Sequence, residues 1–142
     1  MRHYLVVANQ TLGGEHLMGK VRECLAAGPS TFHVVVPATP PREHFTWAEG
    51  EARAVAQDRL TRALDRFREL GAEAGGEVGD ADPVQAIGDA LRAGHFDEII
   101  LSTLPQGPSR WLRRDEPHRV TAAFSLPVTH VIGEPETAAP GP

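Results

Sequence analysis

The chain has 142 residues, 41% of them hydrophobic and 23% charged. That is the composition of one folded domain and excludes wholesale disorder. A net charge of −5 gives no general attraction to nucleic acid or anionic lipid, and the one cysteine, Cys24, excludes an intramolecular disulfide or a cysteine-built metal site.

Residues 4–8 (Tyr-Leu-Val-Val-Ala) are a short continuous apolar run, the pattern of a strand buried on both faces. Residues 9–14 (Asn-Gln-Thr-Leu-Gly-Gly) carry turn chemistry. Leu17, Val21, Cys24 and Leu25 then recur at helical spacing until Gly28-Pro29 stops the helix. Phe32-His33-Val34-Val35-Val36 reads as a second buried strand, bounded by Pro37. A proline-rich loop covers residues 37–46. Ala52, Ala56, Leu60, Ala63, Leu64, Phe67 and Leu70 then form the apolar stripe of a long amphipathic helix that ends at Gly71.

Residues 73–79 read as a weak strand whose glycines suit a sheet edge. Asp82-Pro83 opens a helix, with Asp as N-cap and Pro at the first helical position. Val84, Ile87, Ala90 and Leu91 give it a buried face and Gly94 closes it. Glu98-Ile99-Ile100-Leu101 is the next strand, residues 102–117 a loop, residues 118–125 an expected helix, and residues 128–132 a last strand after Pro127. The domain is therefore 1–132. Residues 133–142, with three prolines and no apolar periodicity, are expected to form a flexible tail. No stretch reaches the roughly 18 apolar residues of a membrane span. With no export signal either, a cytoplasmic location is the expectation.

Strands alternating with helices predict an open five-stranded parallel α/β sheet, Rossmann-like, with helices on both faces. The expected strand order is 3-2-1-4-5. Ligands of such sheets bind at the carboxyl ends of the strands, where the order reverses. With the first strand central, residues 9–14 and 102–114 line that crevice.

Several motifs bear on chemistry. Gly14-Glu-His-Leu-Met-Gly19-Lys20-Val21 almost spells a phosphate-binding loop. Val21 replaces the hydroxyl that would hold magnesium, and Leu17 and Val21 put Gly19-Lys20 inside a helix. The seven histidines are scattered without metal-ligand spacing. His33 falls in a buried-strand pattern and is read as a core or interface histidine. Ser109 lacks the second glycine of a nucleophile elbow, since Trp111 stands there. Asp82 is accounted for as a helix cap, and Asp115-Glu116 as solvated charge. Arg110, Arg113 and Arg114 around Trp111 have the chemistry to grip a small anion, although such clusters are more often a solvated helix surface. His44, Phe45 and Trp47 offer flat faces for a ligand or a seal for their loop.

The layout from Tyr4 to Ile132 resembles the universal stress protein family, a branch of the adenine-nucleotide-binding α/β domains. Residues 77–87 (Glu-Val-Gly-Asp-Ala-Asp-Pro-Val-Gln-Ala-Ile) resemble that family's segment from strand three into the next helix. Residues 96–103 resemble its fourth strand, and residues 126–131 its fifth, led by Pro-Val. The resemblance implies a nucleotide site after strand four with the pattern G-2x-G-9x-G-[ST]. This chain departs from it: Ser102 and Pro105 replace the first two glycines, Asp115-Glu116 replaces the last Gly-Ser/Thr, and Asn9 stands where strand one commonly ends in Asp. Glycines let backbone N–H groups approach phosphates, proline removes such a donor, and a carboxylate pair repels them.

The expected function is thus a non-catalytic stress-protein-like domain acting through homodimerisation and ligand or partner binding, with ATP bound weakly or not at all. The alternative is an adenine-nucleotide sensor with a divergent, arginine-containing phosphate site. A hydrolase or transferase is disfavoured by the missing serine elbow, phosphate loop and metal cluster. The candidate ligand positions are Ala8, Asn9, Val36, Ser102, Thr103, Gly107, Ser109, Arg110 and Arg113. The resemblance also implies a dimer through the fifth strand, with Val128, His130 and Ile132 on the shared face. No catalytic residue, metal, nucleic acid or membrane partner is expected.

Overall fold

Tyr4, Val6 and Ala8 point to one side of the sheet, Leu5 and Val7 to the other, and all five are buried. A strand apolar on both faces needs a layer on each, and the rest of the architecture supplies them. In the computed structural model, which describes residues 1–8, 11–12, 14–38, 49–103 and 126–132, this strand is β1 (Arg2–Val7). It is followed by α1 (Glu15–Ala27), β2 (Ser30–Pro37), α2 (Glu49–Glu69), β3 (Glu73–Gly79), α3 (Pro83–Ala93), β4 (Glu98–Thr103) and β5 (Val128–Ile132). All pairings are parallel and the order is β3-β2-β1-β4-β5. The expected helix over 118–125 and the tail lie outside the described residues.

Strand order fixes which face each helix covers. Two successive right-handed steps from β1 outward to β3 put α1 and α2 on one face, and the return to β4 puts α3 on the other. Val21, Leu60 and Phe67 accordingly share one core cluster with Val6, Val34 and Ile100. Ile87 and Ala90 share the second with Val7, Val35 and Leu101. In the first layer Tyr4 stacks on Phe32 at 5.3 Å, and Phe67 meets Phe32 edge-on at 5.8 Å.

Local rules account for the ends of the elements. The Asp82 carboxylate accepts a hydrogen bond from the Val84 N–H at 3.0 Å, capping α3, with Pro83 in its first turn. Gly71 turns the chain out of α2 at φ 91°, a conformation open to glycine. Gly76 of β3 has a different reason: a Cβ there would run into the Val34 carbonyl and come within 2.8 Å of Leu60 Cδ1. The glycine-rich edge strand thus lets α2 lie close over the sheet. Three strands extend beyond their expected limits: β1 begins at Arg2, two residues before the apolar run. β2 begins at Ser30, and β4 carries on through Ser102 and Thr103, which the sequence had placed at the start of a loop.

Among the described residues no helix is long and apolar enough to cross a membrane. Phe67 is fully buried, so Phe67→Ala is expected to cost about 3–5 kcal/mol, and Asp82→Ala about 1 kcal/mol, in urea unfolding.

Candidate functional site

The strand order reverses between β1 and β4, and their carboxyl ends lie side by side, with Val7 in register with Leu101. The residues that follow converge there. Ala8 is buried and donates its N–H to the Val35 carbonyl at 3.4 Å. Thr11, in the turn that leads to α1, reaches across to the end of β4. Its Oγ1 lies 2.6 Å from Ser102 Oγ, and these two residues are only 2% and 1% exposed. The turn is closed by the Gly14 N–H donating to the Thr11 carbonyl at 3.0 Å, and the Gly14 carbonyl then starts α1 by accepting from Met18. Gly14 is the N-cap and has no side chain to cap the helix.

A pair of hydroxyls bonded to each other spends one hydrogen and leaves the other for a further acceptor. The base of the crevice therefore presents a buried O–H beside the uncapped N-terminus of α1. This is a donor-rich surface suited to the oxygens of a polar ligand. It is also a tie between the turn before α1 and the end of β4, because among the described residues either hydroxyl alone would be a buried polar group without a partner.

The positions singled out from sequence separate as follows. Ala8, Val36 and Ser102 are buried at the carboxyl ends of β1, β2 and β4, with Val36 inside the α1/α2 core. Thr103 ends β4. Asn9, Gly107, Ser109, Arg110 and Arg113 lie outside the described residues, as do Arg114, Asp115, Glu116 and the aromatic loop with Trp47. Val128 packs against the α3-side core, His130 is exposed, and Ile132 is 51% exposed. Enough of the His130 ring is covered for burial to push its pKa below the ordinary value.

Gly19 and Lys20 lie within α1, and Lys20 pairs with Glu23 at 3.7 Å, so the near-match to a phosphate loop is a helical surface. His33 is no core residue. It is half-buried on the α3 face, with Nε2 2.9 Å from Glu77 Oε2. Its strand continues an apolar run, but the α3 layer does not cover this end of β2. Among the described residues no three His, Cys, Asp or Glu side chains are grouped to hold a metal. Thr11 was not singled out from sequence. Its only signal is a hydroxyl in a turn otherwise built for flexibility, and its partner is 91 residues away.

No protein-family model matches the sequence, and no curated protein matches it. Solved structures do. A universal stress protein from Archaeoglobus fulgidus superposes with a TM-score of 0.60 over 92% of this chain and 93% of that one, at 14% identity. A protein from the universal stress protein family of Burkholderia pseudomallei does so with a TM-score of 0.57, over 90% and 93%, also at 14% identity. The chain has the universal stress protein fold. At this identity the likeness is one of architecture, and the universal stress protein fold leaves the chemistry of the crevice to the residues themselves.

The hydroxyl tie is testable. Thr11→Val leaves the Ser102 hydroxyl buried and unpaired and is expected to cost about 1–3 kcal/mol. Thr11→Val with Ser102→Ala removes both groups and is expected to cost less than the sum of the single changes in a double-mutant cycle read by urea unfolding.

Proposed function

We propose that this chain is a non-catalytic stress-protein-type domain that acts as a homodimer joined through β5 and binds a ligand or partner, with ATP bound weakly or not at all. The observation that carries the proposal is the place of β5 at one edge of the sheet, while side chains cover the other edge, β3. On the β3 edge, the Gly79 carbonyl faces β2 and accepts from the Ala38 N–H, so residues of opposite parity face outward. Two of those outward carbonyls are occupied: Arg68 Nη2 donates to the Ala74 carbonyl at 2.9 Å, and Arg53 Nη2 lies 3.4 Å from the Val78 carbonyl. Arginines of α2 thus cover the edge that would otherwise invite another strand.

β5 is the other edge strand of the sheet, and it places Val128, His130 and Ile132 on one face. A two-fold axis through the middle of this strand pairs it antiparallel with its copy, so that Val128 opposes Ile132 and His130 opposes His130. Weak ATP binding is supported by the sequence of the loop after β4. Pro105 and Pro108 each lack a backbone donor, and Asp115-Glu116 brings two carboxylates to the sequence positions where the resembled family has Gly-Ser/Thr.

A second reading, an adenine-nucleotide sensor with arginines at the phosphates, is favoured by the unspent hydroxyl hydrogen of the Thr11–Ser102 pair. Isothermal titration separates the two. Under the first reading, ATP with or without magnesium gives no low-micromolar dissociation constant. Low-micromolar binding that is lost in Arg110→Ala and Arg113→Ala would establish the sensor.

For the dimer, light scattering is expected to give twice the chain mass, and Ile132→Asp to give the monomer. A wild-type mass that stays at one chain at every concentration would refute it. Its pH dependence follows from His130. Burial lowers the folded-state pKa below the ordinary value near 6.5. Below about pH 6.5 the unfolded state therefore takes up more protons than the folded one, and stability falls as pH falls toward the folded pKa. Two imidazolium rings at the axis add repulsion. The dimer is thus expected to weaken between about pH 7 and pH 5, and His130→Gln to remove most of that slope.

A further inference from the structure

At the opposite end of the sheet from the crevice, where α1 ends beside the first residues of β1 and β2, lies a cavity of about 330 Å3. Ligand pockets span about 300–1,000 Å3, so the size suits a small metabolite. Tyr4, Cys24, Ala27 and Pro29 give it apolar surface, and Arg2 and Asp97 bring opposite charges to it.

Both groups are held in place, and both keep hydrogen-bonding capacity. Arg2 Nε donates to the Tyr4 hydroxyl at 3.2 Å, and Nη2 donates to Glu98 Oε1 at 3.0 Å. The guanidinium carbon stands 5.5 Å from the centre of the Tyr4 ring. A guanidinium has five N–H donors, so three remain for a ligand. The Asp97 carboxylate accepts the His3 backbone N–H on Oδ2 at 2.8 Å, and chiefly for that reason its pKa is held below the usual range. Among the described residues Oδ1 has only His95 Nε2 at 3.5 Å, too far for a good hydrogen bond. Burial pushes the Cys24 thiol up, so it remains a neutral, apolar part of the wall.

We propose that this cavity binds a small α-amino acid with an apolar side chain, its carboxylate on Arg2, its ammonium on Asp97 and its side chain against Tyr4, Cys24 and Ala27. A simple carboxylic acid would satisfy Arg2 and be repelled by Asp97, and a simple amine would meet the reverse. Only a zwitterion answers both charges while its apolar part covers the wall. The proposal is independent of the dimer and of the crevice, and goes beyond the function proposed above.

The test is a titration of the intact protein followed by amide chemical shifts, with three probes that share one branched apolar side chain: L-leucine, 3-methylbutylamine and 4-methylpentanoate. L-Leucine is expected to give saturable shifts at Tyr4, Cys24, Ala27 and Asp97, and the amine and the acid to bind at least tenfold more weakly. Asp97→Asn, which keeps the acceptor for the His3 N–H, and Arg2→Gln are each expected to weaken leucine at least tenfold. Ala27→Leu narrows the cavity from an exposed position and provides a variant that does not touch the charge network. It is expected to weaken leucine likewise, while thermal unfolding stays near that of the parent. Absence of saturable shifts with leucine, equal binding of the amine or the acid, or leucine affinity unchanged in all three variants would overturn the proposal.

Discussion

The constraint on which the molecule rests is the burial of β1 on both faces. Leu5, Val6, Val7 and Ala8 have no exposed surface, and each apolar residue removed from water contributes roughly 1.5–3 kcal/mol. A strand of this kind is stable only at the centre of a sheet with a layer above and below. That requirement places β2 and β4 beside it, α1 and α2 over one side and α3 over the other. It also creates the functional geography. Neighbours that leave the central strand in opposite directions open a crevice at one end of the sheet, and the loops that enter the strands meet at the other.

The two ends solve their polar problems differently. At the carboxyl ends, the turn before α1 and the last residues of β4 are joined through neutral hydroxyls, Thr11 and Ser102, in a nearly water-free setting. At the amino ends, charge is used. Arg2 bridges Tyr4 and Glu98, and the other oxygen of Glu98 accepts from the Thr129 hydroxyl, so one network crosses β1, β4 and β5. Arg2 is half exposed and gains little as a surface ion pair, but its position beside an aromatic ring and a partly covered carboxylate fixes the guanidinium where a ligand can use it. Glycine serves packing in the same economical way: Gly76 admits α2 close to the sheet, and arginines of that same helix then cover the strand's outer edge.

Much of the fold was legible in the sequence. The apolar runs of β1, β2 and β4, the stripe of α2, the Asp82-Pro83 start of α3 and the glycine-rich edge strand all appear where local periodicity placed them. The site was less legible. Ser102 stood out only as a departure from a glycine pattern, whereas its use is to meet a threonine from a different turn. The core alternative for His33 failed because an apolar run signals a buried strand and not which of its residues the opposite layer leaves uncovered.

The sequence by itself determined the order of the elements, their limits to within a few residues and the two-sided burial of the central strand. These depend on spacings of two, three or four residues, which a chain displays without folding. Only the tertiary structure decided which side chains meet. Thr11 with Ser102 and Arg2 with Glu98 are separated by 91 and 96 residues. Such pairs exist because β1 and β4 are neighbours in one register, and a shift of one residue would send every side chain to the other face. Adjacency and register are properties of the assembled sheet, and the crevice and the cavity at its two ends are products of them.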